Sequence, residues 1–273
     1  MSHQNQPPPP GETDTVLVAG VMRTGQTWLC FMLAHAWNAR FVEPYCLLRG
    51  ILYSGNAYVR SLTQGNLPGR SPTSCRLVVK THEPPDRHFS LTRNVVLIVR
   101  DPRDTITSAV LRYHVMKTTG SDIEEDAQSL SLLAAPVIRP STIKDRVWQI
   151  VYGSRLLSVI LTARKWSSFN RAWMQVPFVH VVRYEDLIAD PARQLSIISE
   201  KTSIDTTEQQ LGETSRQLSM AEINQRHVQS DQTKRIGFRK GVAGDYKNHL
   251  TRLEIAIVRH YCRTTAHHFG YDL

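Results

Sequence analysis

The chain has no run of apolar residues close to the ~18 that a membrane-spanning helix requires. Its opening, MSHQNQPPPPGETD, has no apolar segment of the signal-peptide kind, so we expect a soluble, cytoplasmic protein with no membrane partner. Cysteine is scarce. The four present (Cys30, Cys46, Cys75 and Cys262) are far apart and form no C-x-x-C pair. That spacing argues against a disulfide framework or a metal site, and for free buried thiols in a reducing compartment. Acidic residues are in deficit too: 24 Asp and Glu face 33 Lys and Arg, a formal net charge of +9. Such a balance favours an anionic partner, but nucleic acid, acidic lipid and a phosphorylated small molecule all satisfy it. Between Arg226 and Arg263 nine basic residues face only Asp231, Asp245 and Glu254. This is either a functional surface or a solvated face, and charge alone does not separate the two.

What the chain does have is 41% hydrophobic residues, enough for a substantial core, arranged as short apolar runs between turn signals. TVLVAG (15–20), RLVVK (76–80), NVVLIV (94–99) and FVHVVR (178–183) are rich in Val and Ile and mostly apolar. That is the pattern of strands buried on both faces, as in a parallel sheet. Helical patterns lie between and after them at 25–38, 103–116, roughly 141–174, 189–202 and 251–268. The alternation predicts a single α/β domain over 14–273, a central parallel sheet flanked by helices, with a disordered tail at 1–13. Segments 40–75 and 112–140 are less regular and are expected to be excursions from the sheet edge. In such sheets the ligand site lies beyond the carboxyl ends of the strands.

The first strand runs into GVMRTGQTW (20–28), which has the spacing of a phosphate loop, G-x-x-x-x-G-K-[ST]. A strand, a tight turn and a helix amino terminus converge several backbone N–H groups on one point. Gly25 lets the backbone approach an anion, and Thr24 and Thr27 add hydroxyls. The lysine that a kinase uses on the β- and γ-phosphates is missing, because Gln26 stands there. Arg23 supplies a permanent charge with a fork suited to a tetrahedral oxyanion. The loop therefore reads as an anion cradle unsuited to triphosphate chemistry, against the plainer alternative of a strand–helix turn with an exposed arginine.

Four other stretches fall at predicted strand ends or on basic loops. In VVLIVRDPRDTITS, Arg100 follows the strand, and Ser108 lies on the first turns of a helix opened by Asp101-Pro102. Both can reach one phosphate, or Arg100 pairs with Asp101 or Asp104. VVKTHEPP puts Lys80 and His82 on one face at a strand end, where His82 is either a general base or a structural hydrogen-bonder. In HVVRYEDL, Tyr184 can flank a base, while Glu185 and Asp186 can serve the next helix start. RIGFRKGVAGDYKNHLT carries Arg239, Lys240 and Gly241 on a loop able to close over a phosphate, or simply solvated.

Together and in this order, these motifs resemble the cytosolic-type sulfotransferases, which use 3′-phosphoadenosine 5′-phosphosulfate (PAPS). Met22 to Trp28 is similar to that family's P-K-S-G-T-T-W, and Lys80-Thr81-His82 to its K-T-H. Arg100 with Ser108, Tyr184 to Leu187, and Arg239 to Asn248 are similar to its arginine–serine pair, Y-E-D-[LM] and R-K-G-x-x-G-D-[WY]-K-N. The resemblance spans Thr15 to Thr251 and implies a P-loop-like α/β fold. It also implies roles. Arg23, Thr24, Gly25, Gln26 and Thr27 would hold the 5′-phosphosulfate, and Trp28 and Tyr184 would meet the adenine. Arg100, Ser108, Arg239, Lys240 and Gly241 would bind the 3′-phosphate. His82 would take the acceptor's proton, with Lys80 beside the sulfuryl group. The product would be adenosine 3′,5′-bisphosphate (PAP), and no metal is expected. Three departures stand out. Arg23 replaces the family's lysine. Leu218-Ser219-Met220 stands where the family commonly has T-S-F, so Ser219 and Met220 would serve the adenine. The family's dimer signature K-x-x-x-T-V-x-x-x-E is kept at Lys247 and Thr251 but broken at Arg252 and Ala256, which leaves the oligomeric state open.

The expected activity is sulfuryl transfer to a hydroxyl of a small, apolar or aromatic acceptor, suggested by Phe41, Tyr45, Leu47, Leu48, Ile51, Leu52, Tyr53 and Tyr58. The rivals are a P-loop kinase, which Gln26 disfavours, and a non-enzymatic nucleotide or RNA binder. RNA binders interleave aromatics with their charges. The 226–263 segment has only Phe238, Tyr246 and Tyr261, so no nucleic-acid partner is expected.

Overall fold

The computed structural model describes residues 15–42, 76–85, 92–119, 154–222 and 242–273. The expected tail at 1–13, most of 40–75, 120–140 and the first part (141–153) of the helix expected at 141–174 lie outside the described residues. In chain order the elements are β1 (Thr15–Gly20), α1 (Gln26–Ala36), β2 (Arg40–Val42), β3 (Leu77–Thr81), β4 (Val95–Val99), α2 (Pro102–Thr119), α3 (Arg155–Met174), β5 (Val179–Arg183), α4 (Tyr184–Ala189), α5 (Pro191–Lys201), α6 (Glu208–Gln217), a 3₁₀ turn (Asp245–Asn248) and α7 (Arg252–His268). The chain divides into two compact units, Met1–Arg100 with Phe169–Gly241, and Asp101–Ser168 with Val242–Leu273. Among the described residues, no helix is long and apolar enough to cross a membrane.

The first unit holds the expected parallel sheet, in the order β2-β3-β1-β4-β5. Every pairing is parallel, with Ala19 opposite both Thr81 and Leu97, and Val99 opposite Arg183. All five residues of β4 are buried, as continuous apolar runs require when both sheet faces are covered. Val16, Val18, Val78, Val96 and Ile98 pack with Trp28, Leu29 and Leu33 of α1 and with Leu195 and Ile198 of α5. Trp28 Nε1–H donates to the Leu218 carbonyl at 2.7 Å, and Trp37 Nε1–H to Ser199 Oγ at 2.9 Å, so both indoles bury their area without an orphaned donor. The helix expected over 189–202 is α5, Pro191–Lys201, and the short α4 precedes it. Asp190 leaves helical geometry, its carboxylate accepts from Arg193 N–H at 3.0 Å, and Pro191 begins α5. β2 and α6 have no counterpart among the expected elements.

The second unit contains α2, α3 as far as Ser168, the 3₁₀ turn and α7. As expected, α2 opens at Pro102, and Asp101 Oδ1 accepts from Arg103 N–H at 2.8 Å. α7 begins with a capping box: Thr251 and Glu254 exchange side-chain-to-backbone bonds. Arg155 then clamps Glu254 at 2.6 Å and donates to the His249 carbonyl. Burial alone would push the Glu254 carboxyl up, but the bonds from Arg155 and Thr251 outweigh it and hold it below its ordinary value. Trp166 against Phe269 and Ser167 against Thr265 close the packing between α3 and α7. Cys30 and Cys262 are buried thiols in no disulfide, as expected of them, while Cys46 and Cys75 lie outside the described residues.

Candidate functional site

The order of the strands puts the carboxyl ends of β3, β1, β4 and β5 side by side, and the motif residues of the first unit follow those ends. The loop after β1 is tightly determined. A Cβ on Gly20 would lie 2.8 Å from Ile98 Cγ2 and 3.0 Å from Thr24 Oγ1, so only glycine fits. The turn closes when Thr24 gives both its N–H (3.3 Å) and its hydroxyl (2.7 Å) to the Val21 carbonyl. Arg23 then adopts φ 73, a left-handed conformation uncommon for a residue with a side chain. Gly25 follows at φ 86 as the N-cap of α1. The first intrahelical bond runs from Leu29 N–H to the Gly25 carbonyl, so the N–H groups of Gln26, Thr27 and Trp28 precede it. The first turn of α1 holds no acidic residue. A helix amino terminus of this form attracts an anion through its dipole and its N–H groups.

Three neighbouring strand ends contribute side chains around this loop. At the end of β3, Lys80 is buried, and the half-buried His82 brings Nδ1 within 2.7 Å of the Gly20 carbonyl. A carbonyl only accepts, so Nδ1 carries the proton and the neutral ring keeps its lone pair on Nε2. After β4, Arg100 is buried, donates from Nη1 to the Arg23 carbonyl at 3.3 Å and lies 4.4 Å above the centre of the Tyr184 ring. Tyr184, at the start of α4, packs edge-on to Trp28 with ring centres 6.1 Å apart. Its ring also fills the space beside Gly25, where a Cβ would stand 2.4 Å from Cε2. Gly25, Tyr184 and Arg100 are thus one packed group, which sequence spacing alone does not reveal.

Gln26 sits differently from its expected place in the cradle. Its Nε2 donates to the Val18 carbonyl of β1 and the Thr81 carbonyl of β3, each at 2.7 Å, so its side chain serves the sheet. What it offers an anion is the backbone N–H. The Thr24 hydroxyl likewise donates to Val21 inside the turn. Thr27 is half-buried on the first turn of α1. Ser219 Oγ accepts from Glu222 N–H at 3.2 Å, and Met220 packs against the buried cluster containing Trp28 and Tyr184.

In the second unit Ser108 is buried on α2, one turn beyond Asp104 on the same helix face. In the sequence, Asp101 reads as opening this helix, and Asp101 and Asp104 as candidate partners for Arg100. Asp101 makes a forked pair with Arg103, at 2.7 Å from Nη2. Asp104, with no exposed surface, accepts from Gly244 N–H at 2.6 Å and from Tyr246 N–H at 2.9 Å. Arg103 also stacks 4.5 Å above the Tyr246 ring. The helix carrying Ser108 therefore holds the G-D-Y part of the basic motif, and the left-handed Gly244 at φ 81 was the available signal for such a turn. Arg239, Lys240 and Gly241 lie outside the described residues. No group of three or more His, Cys, Asp or Glu suited to a metal occurs among the described residues.

The family model of the sulfotransferase domain matches residues 13–270, a single match running across both units. No curated protein sequence matches the chain. Among solved structures, mouse sulfotransferase SULT7A1 complexed with PAP superposes with a TM-score of 0.56 at 17% identity, covering 92% of this chain and 84% of that one. Retinol dehydratase in complex with androsterone and the inactive cofactor PAP superposes at 0.50 and 17% identity, covering 93% and 81%. At such identities the likeness is one of fold.

Proposed function

We propose, from the premise that the chain belongs to the sulfotransferase domain family and works as a PAPS-dependent sulfotransferase, that it sulfates the hydroxyl of a small apolar or aromatic acceptor, with His82 as general base and without a metal. The observation that carries this reading is the 2.7 Å bond from His82 Nδ1 to the Gly20 carbonyl. It joins the imidazole to the first residue of the anion loop and leaves Nε2 as the basic nitrogen. In sulfuryl transfer the enzyme aligns the nucleophile and neutralises spreading negative charge. His82 Nε2 would remove the acceptor's proton. Arg23, Lys80 and the amino terminus of α1 would supply the positive field, which makes a metal unnecessary. The buried Arg100 and Ser108, with Arg239, Lys240 and Gly241, would read the 3′-phosphate. Trp28, Tyr184, Ser219 and Met220 would border the adenine. The androsterone bound by the retinol dehydratase neighbour is a ligand of the proposed chemical class, an apolar skeleton bearing a hydroxyl.

The test combines binding and turnover. PAP should bind far more tightly than AMP or ATP, and EDTA should leave transfer unchanged. His82→Ala should lose about 10²–10⁴-fold in turnover with PAP affinity nearly intact. Arg23→Ala should lose roughly 10²–10³-fold, the scale of one preorganised oxyanion donor, and Arg23→Lys should recover much of that. Equal affinity for AMP and PAP would remove the 3′-phosphate site, and near-normal turnover in His82→Ala would remove the base. Magnesium-dependent ATP turnover in the wild type would favour the kinase reading instead.

A further inference from the structure

Gln26 is the residue at which the loop departs both from a kinase and from the family motif, and its side chain points neither way expected. It is 3% exposed. Both of its partners are carbonyl oxygens, so only the amide nitrogen can face them, and its two hydrogens bridge β1 and β3. The second partner, Thr81, lies between Lys80 and His82. The same two strands are tied again one step further on, where His82 Nδ1–H meets Gly20. The arrangement has a cost, because Gln26 Oε1 is buried with no hydrogen-bond partner among the described residues. A methionine of similar volume would fill the space with no orphaned amide oxygen but would take the donor from the Val18 and Thr81 carbonyls, so the amide serves the two strands and not the packing of the core.

We infer that Gln26 is a positioning residue: by pinning the Thr81 carbonyl to β1, it fixes the end of β3 so that His82 donates Nδ1–H to Gly20 and presents Nε2 to the acceptor. The catalytic consequence rests on the reading of His82 as general base, whereas the structural consequence does not. Gln26 reaches no reacting atom. It acts through the backbone on either side of Thr81, over two bonds of ordinary length that a shorter or donorless side chain cannot reproduce. Misplacing a base by about 1 Å is enough to cost on the order of 10²-fold.

The experiment uses the full chain, with Gln26→Met removing both donors and Gln26→Thr too short to span both carbonyls. PAP-induced thermal shifts report that each variant folds. Nitrogen NMR of labelled histidine, with the His82 signal assigned by its loss in His82→Ala, reads the imidazole tautomer directly. The wild type should hold the Nδ1–H form, and the variants should show a mixture. Single-turnover transfer from radiolabelled PAPS, to the best acceptor in a panel of phenols, sterols and retinoids, should fall about 10–100-fold, with PAP affinity within roughly threefold. The double variant Gln26→Met/His82→Ala should be no slower than His82→Ala, because both changes remove the same contribution. An unchanged tautomer in both Gln26 variants overturns the inference, as do losses that multiply in the double variant. A shifted tautomer together with normal turnover in His82→Ala would uphold the strand tie and remove the base.

Discussion

Replacing Gly25 with alanine should injure the anion loop in two separable ways. The backbone there has φ 86, and a left-handed conformation costs an L-residue roughly 1–2 kcal/mol. The new methyl carbon would also lie 2.4 Å from Tyr184 Cε2 and 2.5 Å from Cδ2. No pair of carbon atoms tolerates that, so the ring or the loop must move. A displaced ring gives up its contact with Arg100, worth about 0.5–2 kcal/mol, and its edge contact with Trp28, worth about 0.5–1.5 kcal/mol. The combined loss is on the order of 3 kcal/mol, or a fall in melting temperature of about 6–12 °C at roughly 2–4 °C per kcal/mol. Tyr184→Ala removes the obstruction, so in that background Gly25→Ala should cost only the backbone part. Urea unfolding and PAP titration of the wild type, the two single variants and the double variant measure this coupling. A Gly25→Ala cost that is the same with and without Tyr184 would refute the packing explanation. A harmless Gly25→Ala would refute the left-handed backbone as well.

Asp104→Asn turns one acceptor oxygen toward a backbone N–H as an NH₂ group, forfeiting a charge-assisted bond of about 1.5–3 kcal/mol. PAP affinity by calorimetry should fall at least about tenfold while AMP affinity holds, because the loosened Gly244–Tyr246 turn adjoins Arg239–Gly241 in the chain. An unchanged PAP affinity would disconnect that turn from the 3′-phosphate. His180 is held below the ordinary histidine value by burial and then by the charge of Lys201. The unfolded chain therefore takes up its proton first, and stability should decline as pH drops from about 6.5 toward the folded value. Urea midpoints at about pH 7.5 and pH 5.5 should show a smaller decline in His180→Gln, and equal slopes would reject this group as the cause. The Cys262 thiol is pushed up to about 12 by burial and by Asp101, so at about pH 8 a thiol reagent should leave it untouched until the protein unfolds. Rapid modification of the folded protein at Cys262 would contradict its burial.

β4 was legible because its signal is continuous: VVLIV has no polar residue, and the structure buries all five positions, whereas β5, expected to be buried on both faces, lies at the sheet edge with only Val182 fully buried. α1 and α7 were legible from periodicity with a clear stop and start. α6 was not, since EQQLGETSRQ has only Leu211 and Thr214 buried and a glycine in its midst. Its available mark was the capping box formed by Thr207 and Gln210. β2 escaped because a three-residue strand carries too little pattern, and its existence depends on pairing with the distant β3. The positions of Arg23, Lys80, His82 and Arg100 at or just past strand ends were legible because basic residues that follow an apolar run are visible by position. The Gln26 amide, the Gly25–Tyr184 contact and the Asp104 clamp were not found. Each joins residues far apart in sequence, and its partner is a backbone group or a ring face that carries no letter of its own.

The place of β1 between β3 and β4 matters while the chain is being synthesised. β1 is made early, but the first strand it pairs with begins at Leu77 and the second at Val95. At ~5–20 residues per second, the roughly 60 residues from the end of β1 to the start of β3 take about 3–12 s to emerge. Throughout that interval VLVA and the apolar face of α1 have no sheet to join, and β2 has nothing to pair with either. The segment that will carry the anion loop thus passes that interval with its apolar surface uncovered. Synthesis slowed between Val42 and Leu77 should lengthen that exposure and lower the yield of folded protein, whereas slowing after Val99 should not.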